Sequence, residues 1–256
     1  MQFEFTDKRV LVTGGTRGIG RATVEAFLAA GARVAVNGRT AESTAAGVAA
    51  LGGGDNLVAA PGDIGTVAGC EAAVGAALDA LGSLDVLVNS AGVGRSGKIE
   101  DFDEAAWDET LDINLKGTFF CIRTALPALR QSKGNVVNLA SDAGLMGDGT
   151  LTVYSASKGG VVNMTRAMAL ELAPDIRVNC VCPGYVDTDM VRRDGIEQAD
   201  DPTAAEQAVI DYAPLKTLGR PLEIASAILY LASSDARFIT GAALQIDGGS
   251  TAGHNT

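Results

Sequence analysis

Tyr154 and Lys158 are the pair of residues in this chain whose types and spacing best suit proton transfer. They are four positions apart, so on a helix their side chains are neighbours on one face. A free tyrosine has a pKa near 10, and a nearby ammonium group favours the phenolate. Lowering that pKa by about three units takes roughly 4 kcal/mol, which a close, partly desolvated lysine and a second positive charge can supply. The pair predicts a general acid–base function for Tyr154.

A second candidate site is the glycine-rich segment at residues 13–20, Thr-Gly-Gly-Thr-Arg-Gly-Ile-Gly. Gly14, Gly18 and Gly20 allow a sharp turn and a close approach of a ligand to the backbone, because they carry no Cβ. The segment follows a β-branched run and precedes a helical pattern. The start of that helix offers free N–H groups and the positive end of the helix dipole. These features predict a site for the pyrophosphate of a dinucleotide.

Short β-branched runs alternate with longer, alanine-rich helical patterns along the chain, which is typical of a parallel sheet covered by helices. The predicted strands are 9–13, 33–37, 57–60, 85–89, 135–139, 176–181 and 243–247. The predicted helices are 18–29, 41–51, 66–81, 104–131, 153–173 and 221–232. The strands are apolar throughout, which indicates burial on both sides. The sequence therefore predicts one α/β domain over residues 1–256, a Rossmann-type, doubly wound parallel sheet of about seven strands.

These motifs together resemble the short-chain dehydrogenase/reductase family over essentially the whole chain. The glycine spacing Gly-x-x-x-Gly-x-Gly is the first match, and Ser90 is a mild departure from the family's Asn-Asn-Ala-Gly motif. The other matching segments are Asp63-Ile64, Asn89-Ser90-Ala91-Gly92, Asp112-Ile113-Asn114, Asn138-Leu139-Ala140-Ser141, Tyr154-Ser155-Ala156-Ser157-Lys158 and Pro183-Gly184. The resemblance implies an oxidoreductase that moves a hydride between a nicotinamide cofactor and a carbonyl or secondary alcohol of a small or mid-sized substrate.

The resemblance implies a catalytic set of Asn114, Ser141, Tyr154 and Lys158. Tyr154 would be the general acid in reduction and the base in oxidation. Ser141 would hydrogen-bond the same substrate oxygen. Lys158 would also bind the hydroxyls of the nicotinamide ribose, and Asn114 would help to hold a water-linked proton relay with it.

The predicted ligand contacts extend beyond that set. Those for the cofactor are Gly14, Thr16, Arg17, Gly18, Ile19, Gly20, Arg39, Asp63, Ile64, Asn89, Ala91, Gly92, Tyr154, Lys158, Pro183, Gly184, Val186 and Thr188. Those for the substrate are Ser141, Tyr154 and Tyr185, with Asp142, Leu145 and Met146 as further candidates.

The end of the second predicted strand favours NADP(H) over NAD(H). NAD-preferring folds place a carboxylate there for the ribose 2′-hydroxyl. Here the strand ends Val36-Asn37-Gly38-Arg39, with an arginine and no carboxylate, and Arg17 lies in the glycine segment. A 2′-phosphate needs cationic donors, and the arginine fork suits it. NADP(H) is therefore the predicted cofactor, with NAD(H) still possible.

Composition and charge exclude several other classes of protein. The net charge of −11 is opposite to that of a non-specific nucleic-acid binder. The four cysteines lack zinc-ligand spacing and His254 is the only histidine, so no metal site is predicted. The start of the chain is too polar for a secretory signal, and no apolar run approaches 18 residues, so we predict a cytoplasmic protein without a membrane partner.

Two alternative functions stay open at this point. A 3-oxoacyl-thioester reductase would have similar motifs, although one acting on acyl-carrier protein would need basic residues near the site mouth. Arg130 could serve, but residues 172–175 offer none, and the negative charge adds long-range repulsion. A non-catalytic NADP sensor would not need Tyr154, Ser141 and Lys158 together. An extended-type sugar epimerase or dehydratase usually needs a longer chain.

Two segments predict features beyond the site itself. The helix at 153–173 has few charges on any face, and the helix at 221–232 with the segment 239–249 resembles the family's assembly segment. Two separate interfaces predict a homotetramer with D2 symmetry. The most polar stretch, 192–205, follows a strand end and predicts a substrate lid at about 186–214.

Overall fold

Seven parallel strands form one sheet in the computed structural model, which describes residues 3–253. The strands are β1 (Arg9–Thr13), β2 (Arg33–Val36), β3 (Leu57–Ala59), β4 (Val86–Asn89), β5 (Asn135–Leu139), β6 (Arg177–Pro183) and β7 (Ala243–Ile246). They lie in the order β3-β2-β1-β4-β5-β6-β7. The predicted doubly wound α/β class is confirmed. His254 and the last two residues of the tail lie outside the described residues.

Nine α-helices connect and cover these strands within residues 3–253. They are α1 (Gly18–Ala29), α2 (Ala41–Ala50), α3 (Val67–Leu81), α4 (Glu104–Leu111), α5 (Gly117–Ser132), α6 (Thr152–Leu172), α7 (Asp189–Arg192), α8 (Pro202–Tyr212) and α9 (Pro221–Ala232). In that part of the chain, no helix combines the length and the apolarity that crossing a bilayer requires.

The strands are apolar on both faces because helices pack on both faces. In β1, the side chain of Leu11 joins a buried cluster with residues of α3, α5 and α6. Val10 and Val12 point the other way, into a cluster with residues of α1 and α9. Side chains alternate between the faces of a strand, so a buried parallel strand needs an apolar residue at nearly every position. This requirement explains the continuous Val-rich runs of the sequence.

The single helix predicted at 104–131 is wrong in one respect, because five residues in its middle form a π-helical turn. This wide turn, Asp112–Lys116, separates α4 from α5. It carries Asn114, whose fully buried side chain reaches the main chain of Val93 at 2.9 Å. Directly after it, a Cβ on Gly117 would lie 2.4 Å from the carbonyl oxygen of Ile64. Helical periodicity could not reveal the turn, because tertiary contacts stabilise it.

The polar segment predicted as a lid is largely helical. Pro202 stands at the start of α8, and the side chain of Asp201 accepts a hydrogen bond from the N–H of Ala204 at 3.0 Å. These are a proline and a capping residue typical of a helix start. The many charged residues of this segment made its helical pattern hard to predict from the sequence. We keep the name lid segment for residues 186–214.

Candidate active site

The turns after β1 and β4 touch each other at the carboxyl edge of the sheet. The chain leaves β1 towards β2 on one side and returns at β4 on the other, which is where doubly wound sheets bind ligands. The hydroxyl of Thr13 accepts hydrogen bonds from the N–H groups of Ser90 (3.0 Å) and Ala91 (3.1 Å). A Cβ on Gly14 would lie 2.8 Å from Cα of Ala91. The contact therefore requires glycine at position 14.

The glycine-rich turn forms a cradle at the start of α1. Gly14 and Gly18 have φ angles of +62° and +55°, in the left-handed region that favours glycine. A Cβ on Gly20 would lie 2.2 Å from the carbonyl oxygen of Gly14. No side chain caps α1, whose N-cap residue is Arg17, so its first N–H groups are available to an anion. This arrangement fits the pyrophosphate of a dinucleotide.

Asn37 fixes the glycine turn to the neighbouring strands, a function that the sequence analysis missed. Its Oδ1 accepts a hydrogen bond from the N–H of Gly14 at 3.2 Å. Its Nδ2 donates to the carbonyl oxygens of Ala60 at 2.9 Å and Gly62 at 3.0 Å. The side chain is buried, so these bonds satisfy an otherwise costly polar group. From the sequence alone, Asn37 indicates only that the end of β2 has no carboxylate for a ribose hydroxyl.

The two arginines predicted to bind a 2′-phosphate are both exposed at this end of the sheet. Neither Arg17 nor Arg39 forms an ion pair or a side-chain hydrogen bond with any residue between 3 and 253. A Cβ on Gly38 would lie 3.1 Å from the methyl of Thr16, so the end of β2 and the glycine turn are adjacent. Ile19 packs into the apolar cluster below, so its side chain anchors the turn.

The turn after β3 has one exposed and one buried member of the predicted cofactor set. Asp63 is exposed, and its Oδ1 accepts a hydrogen bond from the N–H of Gly65 at 3.0 Å. Ile64 is buried in the core, and its carbonyl oxygen accepts from the thiol of Cys70. Asp63 is therefore free to offer its second carboxylate oxygen, whereas the side chain of Ile64 is a core contact.

The side chain of Asn89 lies inside the sheet rather than in the cofactor cleft. Its Nδ2 donates to Oδ1 of Asn138 at 2.9 Å, and Nδ2 of Asn138 donates to the hydroxyl of Thr165 at 3.0 Å. This chain of hydrogen bonds joins β4, β5 and α6. The buried amide of Asn89 is thus engaged within the sheet. A cofactor contact of Asn89, Ala91 or Gly92 stays a prediction.

Lys158 is brought to the carboxyl edge of the sheet by α6 and is almost fully buried, with 3% of its surface exposed. Its ammonium group donates to the carbonyl oxygen of Leu139 at 2.7 Å and lies 5.7 Å from the ring centre of Tyr154. A Cβ on Gly92 would lie 3.4 Å from Nζ of Lys158 and 3.3 Å from Oδ1 of Asn114. The turn after β4 can pass beside both side chains because residue 92 is glycine.

Asn114 holds the turn after β4 against α6. Its Oδ1 accepts from the N–H of Val93 at 2.9 Å, and its Nδ2 donates to the carbonyl oxygen of Val93 at 2.9 Å. The same Nδ2 also donates to the hydroxyl of Ser157 at 3.0 Å. Both ends of the amide are therefore occupied. The geometry gives this side chain a positioning function, and a relay through Asn114 would have to use its main chain.

Ser141 lies directly after β5 and shares the site with Tyr154. Its hydroxyl donates to Oδ1 of Asp142 at 3.0 Å and accepts from the N–H of Ala143 at 3.2 Å. Ser141 also lies close enough to the phenol to lower the pKa of Tyr154. Ser141 and Lys158 therefore both lie near Tyr154, and their joint function as a catalytic set stays a prediction.

The predicted acidification of Tyr154 is wrong for the protein's own groups. Burial is the largest influence, and it raises the pKa of Tyr154 to about 12 despite the opposing effect of Ser141. Burial also lowers the pKa of Lys158 to about 8, because the interior disfavours its charged form. At neutral pH the phenol therefore keeps its proton and can donate it.

The residues after β6 line the other side of the cleft. Pro183 ends the strand. A Cβ on Gly184 would lie 3.0 Å from Cα of Asp247, the residue that follows β7. Val186 is 3% exposed, so its side chain is a core contact. The methyl of Thr188 would lie 3.5 Å from a Cβ on Gly18, which places the start of the lid segment over the glycine turn.

Tyr185, a predicted substrate contact, pairs with an aromatic residue at the end of α8. Its ring lies 5.3 Å from the ring of Tyr212 at an angle of 86°, an edge-to-face arrangement. The hydroxyl of Tyr212 lies 3.8 Å from the sulfur of Met146, in the loop after β5. The lid segment therefore contacts the opposite wall. Tyr185 and Met146 are among the predicted substrate contacts, whereas Tyr212, whose side chain joins them, is not.

Ser250 adds a residue from the end of the chain to the site. Its hydroxyl donates to Oδ2 of Asp142 at 3.0 Å, and Asp142 in turn accepts from Ser141. Asp142 was a candidate substrate contact, but no function was assigned to the tail. The two bonded residues are 108 positions apart, and no local signal in the sequence pairs them.

Known proteins are similar to this chain over nearly its whole length. A profile of the family described as "Enoyl-(Acyl carrier protein) reductase" matches residues 14–251. A "(2S)-[(R)-hydroxy(phenyl)methyl]succinyl-CoA dehydrogenase" subunit of Thauera aromatica is 40% identical over 242 residues, which cover 93% of this chain and 94% of the relative. An "NADP-dependent (R)-specific alcohol dehydrogenase" of Lentilactobacillus kefiri is 36% identical over 251 residues, covering 96% and 97%.

A solved structure extends the similarity to three dimensions. It is a "Short-chain dehydrogenase/reductase SDR:Glucose/ribitol dehydrogenase" from Brucella melitensis. The two chains are 37% identical and superpose with a TM-score of 0.89 over 98% of this chain and 99% of that one. The similarity of the backbone fold therefore includes the whole sheet.

Proposed function

Because the chain belongs to the short-chain dehydrogenase/reductase family and is an oxidoreductase of secondary alcohols and ketones, we propose that it transfers a hydride between NADP(H) and a small or mid-sized substrate. The observation that carries this proposal is the meeting of Ser141, Tyr154 and Lys158 beside the glycine cradle. Hydride donation and acceptance are the chemistry that the nicotinamide supplies when bound.

The residues of the site divide the remaining work. In reduction, Tyr154 donates its proton to the carbonyl oxygen of the substrate, and in oxidation the same phenolate takes the proton back. Ser141 donates a hydrogen bond to that oxygen after releasing Asp142. Lys158 would bind the ribose hydroxyls of the cofactor, and its ammonium group lies beside the phenol. Asn114 fixes the turn after β4 through Val93.

The preference for NADP(H) rests on Arg17 and Arg39. Both are exposed at the cradle, and no carboxylate stands at the end of β2 to accept from a ribose hydroxyl. The relative from Lentilactobacillus kefiri is described as NADP-dependent. The cradle and the first turn of α1 would hold the pyrophosphate, and the exposed Asp63 would face the adenine side of the cleft.

A 3-oxoacyl-thioester reductase is the second candidate, because the relative from Thauera aromatica is described as acting on a CoA thioester. The negative charge of the lid segment argues against a thioester substrate. Residues 186–214 contain eight acidic and two basic residues, a net charge of −6 out of −11 for the whole chain. Such a surface repels the phosphates of CoA and an acidic carrier protein. We therefore rank simple ketones and alcohols first.

One experiment separates these possibilities. Turnover of a panel of ketones and of acetoacetyl-CoA is measured with NADPH and with NADH in parallel. We expect reduction of simple ketones with NADPH, at least tenfold more efficient than with NADH. Exclusive turnover of the thioester would support the second candidate. Cofactor binding without turnover of any carbonyl would overturn the proposal.

A homotetramer is the assembly that fits the remaining apolar surface. Leu111, Leu115, Phe119 and Met164 line a groove of about 590 Å³ between the α4–α5 region and α6, away from Tyr154. After α9, the side chain of Phe238 is 97% exposed. The groove and the region around Phe238 are the candidates for the two interfaces that D2 symmetry requires. The cytoplasmic location stays a prediction, which cell fractionation would test.

A further inference from the structure

Acidic residues lie on two of the loops around Tyr154, whereas the loop after β4 carries the exposed Arg95 and Lys98. Asp142 and Asp148 belong to the loop after β5, and Asp247 follows β7. The lid segment, with its net charge of −6, forms the outer wall. A cleft lined by charges of one sign concentrates ligands of the opposite sign and repels those of the same sign.

Asp142 is the carboxylate nearest to the reacting groups. It is buried, and its Oδ1 lies 3.0 Å from the hydroxyl of Ser141. Burial is the largest influence and raises the pKa of Asp142, while the hydrogen bonds that it accepts from Ser141, Ser250 and the N–H of Ala143 oppose that shift. The carboxylate is one hydrogen bond beyond Ser141, hence about 6 Å from the substrate oxygen that Ser141 contacts. That distance suits a charged group one or two bonds from the reacting carbon.

The negative charges of Asp142 and Asp148 raise the pKa values of two tyrosines, Tyr185 and Tyr212. Burial raises the pKa of Tyr185, and the charges of Asp148 and Asp142 raise it further. Among residues 3–253, no lysine or arginine contributes to that shift. Arg95 and Lys98 lie on the loop after β4 and are exposed. Burial and the same two carboxylates raise the pKa of Tyr212 to about 12.

The rings of Tyr185 and Tyr212 stand at 86° to each other, with their centres 5.3 Å apart. Two aromatic faces at right angles, next to carboxylates, are the surroundings that bind organic ammonium groups through cation–π and ionic attraction. The main positive group inside the site, Lys158, is committed to the carbonyl oxygen of Leu139 on the cofactor side.

We propose that the substrate carries a cationic amine close to its carbonyl or carbinol carbon, with Asp142 as the facing anion and Tyr185 and Tyr212 as flanking rings. The enzyme is then an amino-ketone or amino-alcohol oxidoreductase that selects against carboxylate, sulfonate and phosphate substrates. This assignment rests on the proposed function and names its substrate class.

Three ketones of nearly equal shape test the assignment: acetonyltrimethylammonium, neopentyl methyl ketone and acetonylsulfonate. They differ in charge at the same position. With NADPH in excess, we expect kcat/KM to fall about tenfold from the cation to the neutral ketone, and again to the anion. Binding of each probe to the NADPH complex, followed by cofactor fluorescence, should show the same order. Equal values, or a preference for the anion, would overturn the assignment.

Variants identify the residues responsible. In Asp142→Asn, the ratio of kcat/KM between the cation and the neutral ketone should approach one. Asp235 is an exposed aspartate that follows α9, at the opposite edge of the sheet. Asp235→Asn is therefore the matched control and should keep the wild-type ratio. Tyr212→Leu should lower the ratio, whereas Tyr212→Phe, which retains the ring, should not. An unchanged ratio in both Asp142→Asn and Tyr212→Leu would contradict the assignment.

The outcomes distinguish this assignment from the proposed function. If the neutral ketone is reduced but the cation is not preferred, the chain is still a ketone reductase and only the substrate class is wrong. If no ketone is reduced, the proposed function fails, and the order of probe binding still decides whether the pocket selects cations. If Asp142→Asn does not fold, the wild-type series and the Tyr212 variants decide alone.

Discussion

Burial gives Tyr154 and Lys158 opposite pKa shifts, and these shifts favour one direction of proton transfer. The pKa of the phenol rises to about 12 and that of the ammonium falls to about 8. A phenol that keeps its proton at neutral pH is ready to protonate a carbonyl oxygen. Oxidation needs the phenolate, so it depends on the positive charges that gather at the site when oxidised cofactor binds.

Replacing Tyr154 tests whether the phenol is the proton donor. Tyr154→Phe keeps the ring but removes the hydroxyl, so kcat should fall about 10²- to 10⁴-fold, the usual contribution of a general acid. The affinity for NADPH, measured by fluorescence titration, should stay within about threefold of the wild type. Near-normal turnover would refute the mechanism, and lost cofactor binding would point to a structural function instead.

The buried ammonium of Lys158 predicts a pH-dependent stability. The unfolded chain holds this proton up to about pH 10.5, whereas the folded protein releases it near pH 8. Between these values the unfolded state binds more protons, so the contribution of Lys158 to the free energy of unfolding rises with pH, by up to about 3 kcal/mol. Below pH 8 that contribution is lost.

Urea unfolding of wild type and Lys158→Met between about pH 7.5 and 10 checks this expectation. The wild type should gain stability relative to the variant as pH rises. Tyr154 is present in both proteins, so the ionisation of its phenol in the unfolded chain near pH 10 affects both curves alike. Parallel stability curves would mean that the ammonium is not desolvated.

The predicted preference for NADPH over NADH depends on Arg39. Arg39→Ala removes a charge-assisted donor for the 2′-phosphate, so kcat/KM with NADPH should fall about 10- to 100-fold, with little change for NADH. Arg21→Ala is the control, because Arg21 is an arginine of α1 that pairs with Glu25. An equal loss with both cofactors in Arg39→Ala would show that the arginine does not read the phosphate.

The elements of the fold follow the sequence closely where local pattern and burial agree. The Val-rich runs of β1 and β5 and the helix α1 have the bounds that their patterns predict. The π-helical turn at Asp112–Lys116 was not predictable, because Asn114 stabilises it through contacts with distant segments. Likewise, α8 lies in a charged stretch whose only local signals are a capping aspartate and a proline.

The residues of the candidate site also divide into those that the sequence indicates and those that only the fold reveals. Residue types and spacing indicated Tyr154, Lys158 and Ser141, because their chemistry depends on those types. Asn37 and the bond between Asp142 and Ser250 were missed, because their importance lies in partners that only the folded chain brings near. Desolvation reversed the predicted pKa shift of Tyr154 for a similar reason: burial is a property of the fold.

Two helical glycines give a matched test of the turn at the start of α1. In Gly20→Ala, the new Cβ would lie 2.2 Å from the carbonyl oxygen of Gly14, so the turn must shift. We expect a loss of about 1–3 kcal/mol in the free energy of unfolding, together with weaker NADPH binding. Gly75→Ala, in α3, meets nothing within 4 Å and should stabilise the protein by up to about 1 kcal/mol. Equal effects in thermal unfolding would contradict this account.

Assembly depends on apolar side chains that the monomer leaves in water. Leu170, on α6, is 86% exposed, and Met164 on the same helix lines the groove beside α5. In Leu170→Glu, a charge in the proposed interface should reduce the mass from that of a tetramer to that of a dimer at micromolar concentration, as measured by light scattering. Glu171→Gln, next to it, is the control. A monomeric wild type would refute the proposed assembly.

The bond between Ser250 and Asp142 links the last residues of the chain to one of the central loops. The two residues are 108 positions apart, so closing this contact restricts a long loop of the chain. If the segment after β7 came loose, the carboxylate of Asp142 would lose one hydrogen-bond donor. The order of that segment and the electrostatics beside Ser141 are therefore coupled.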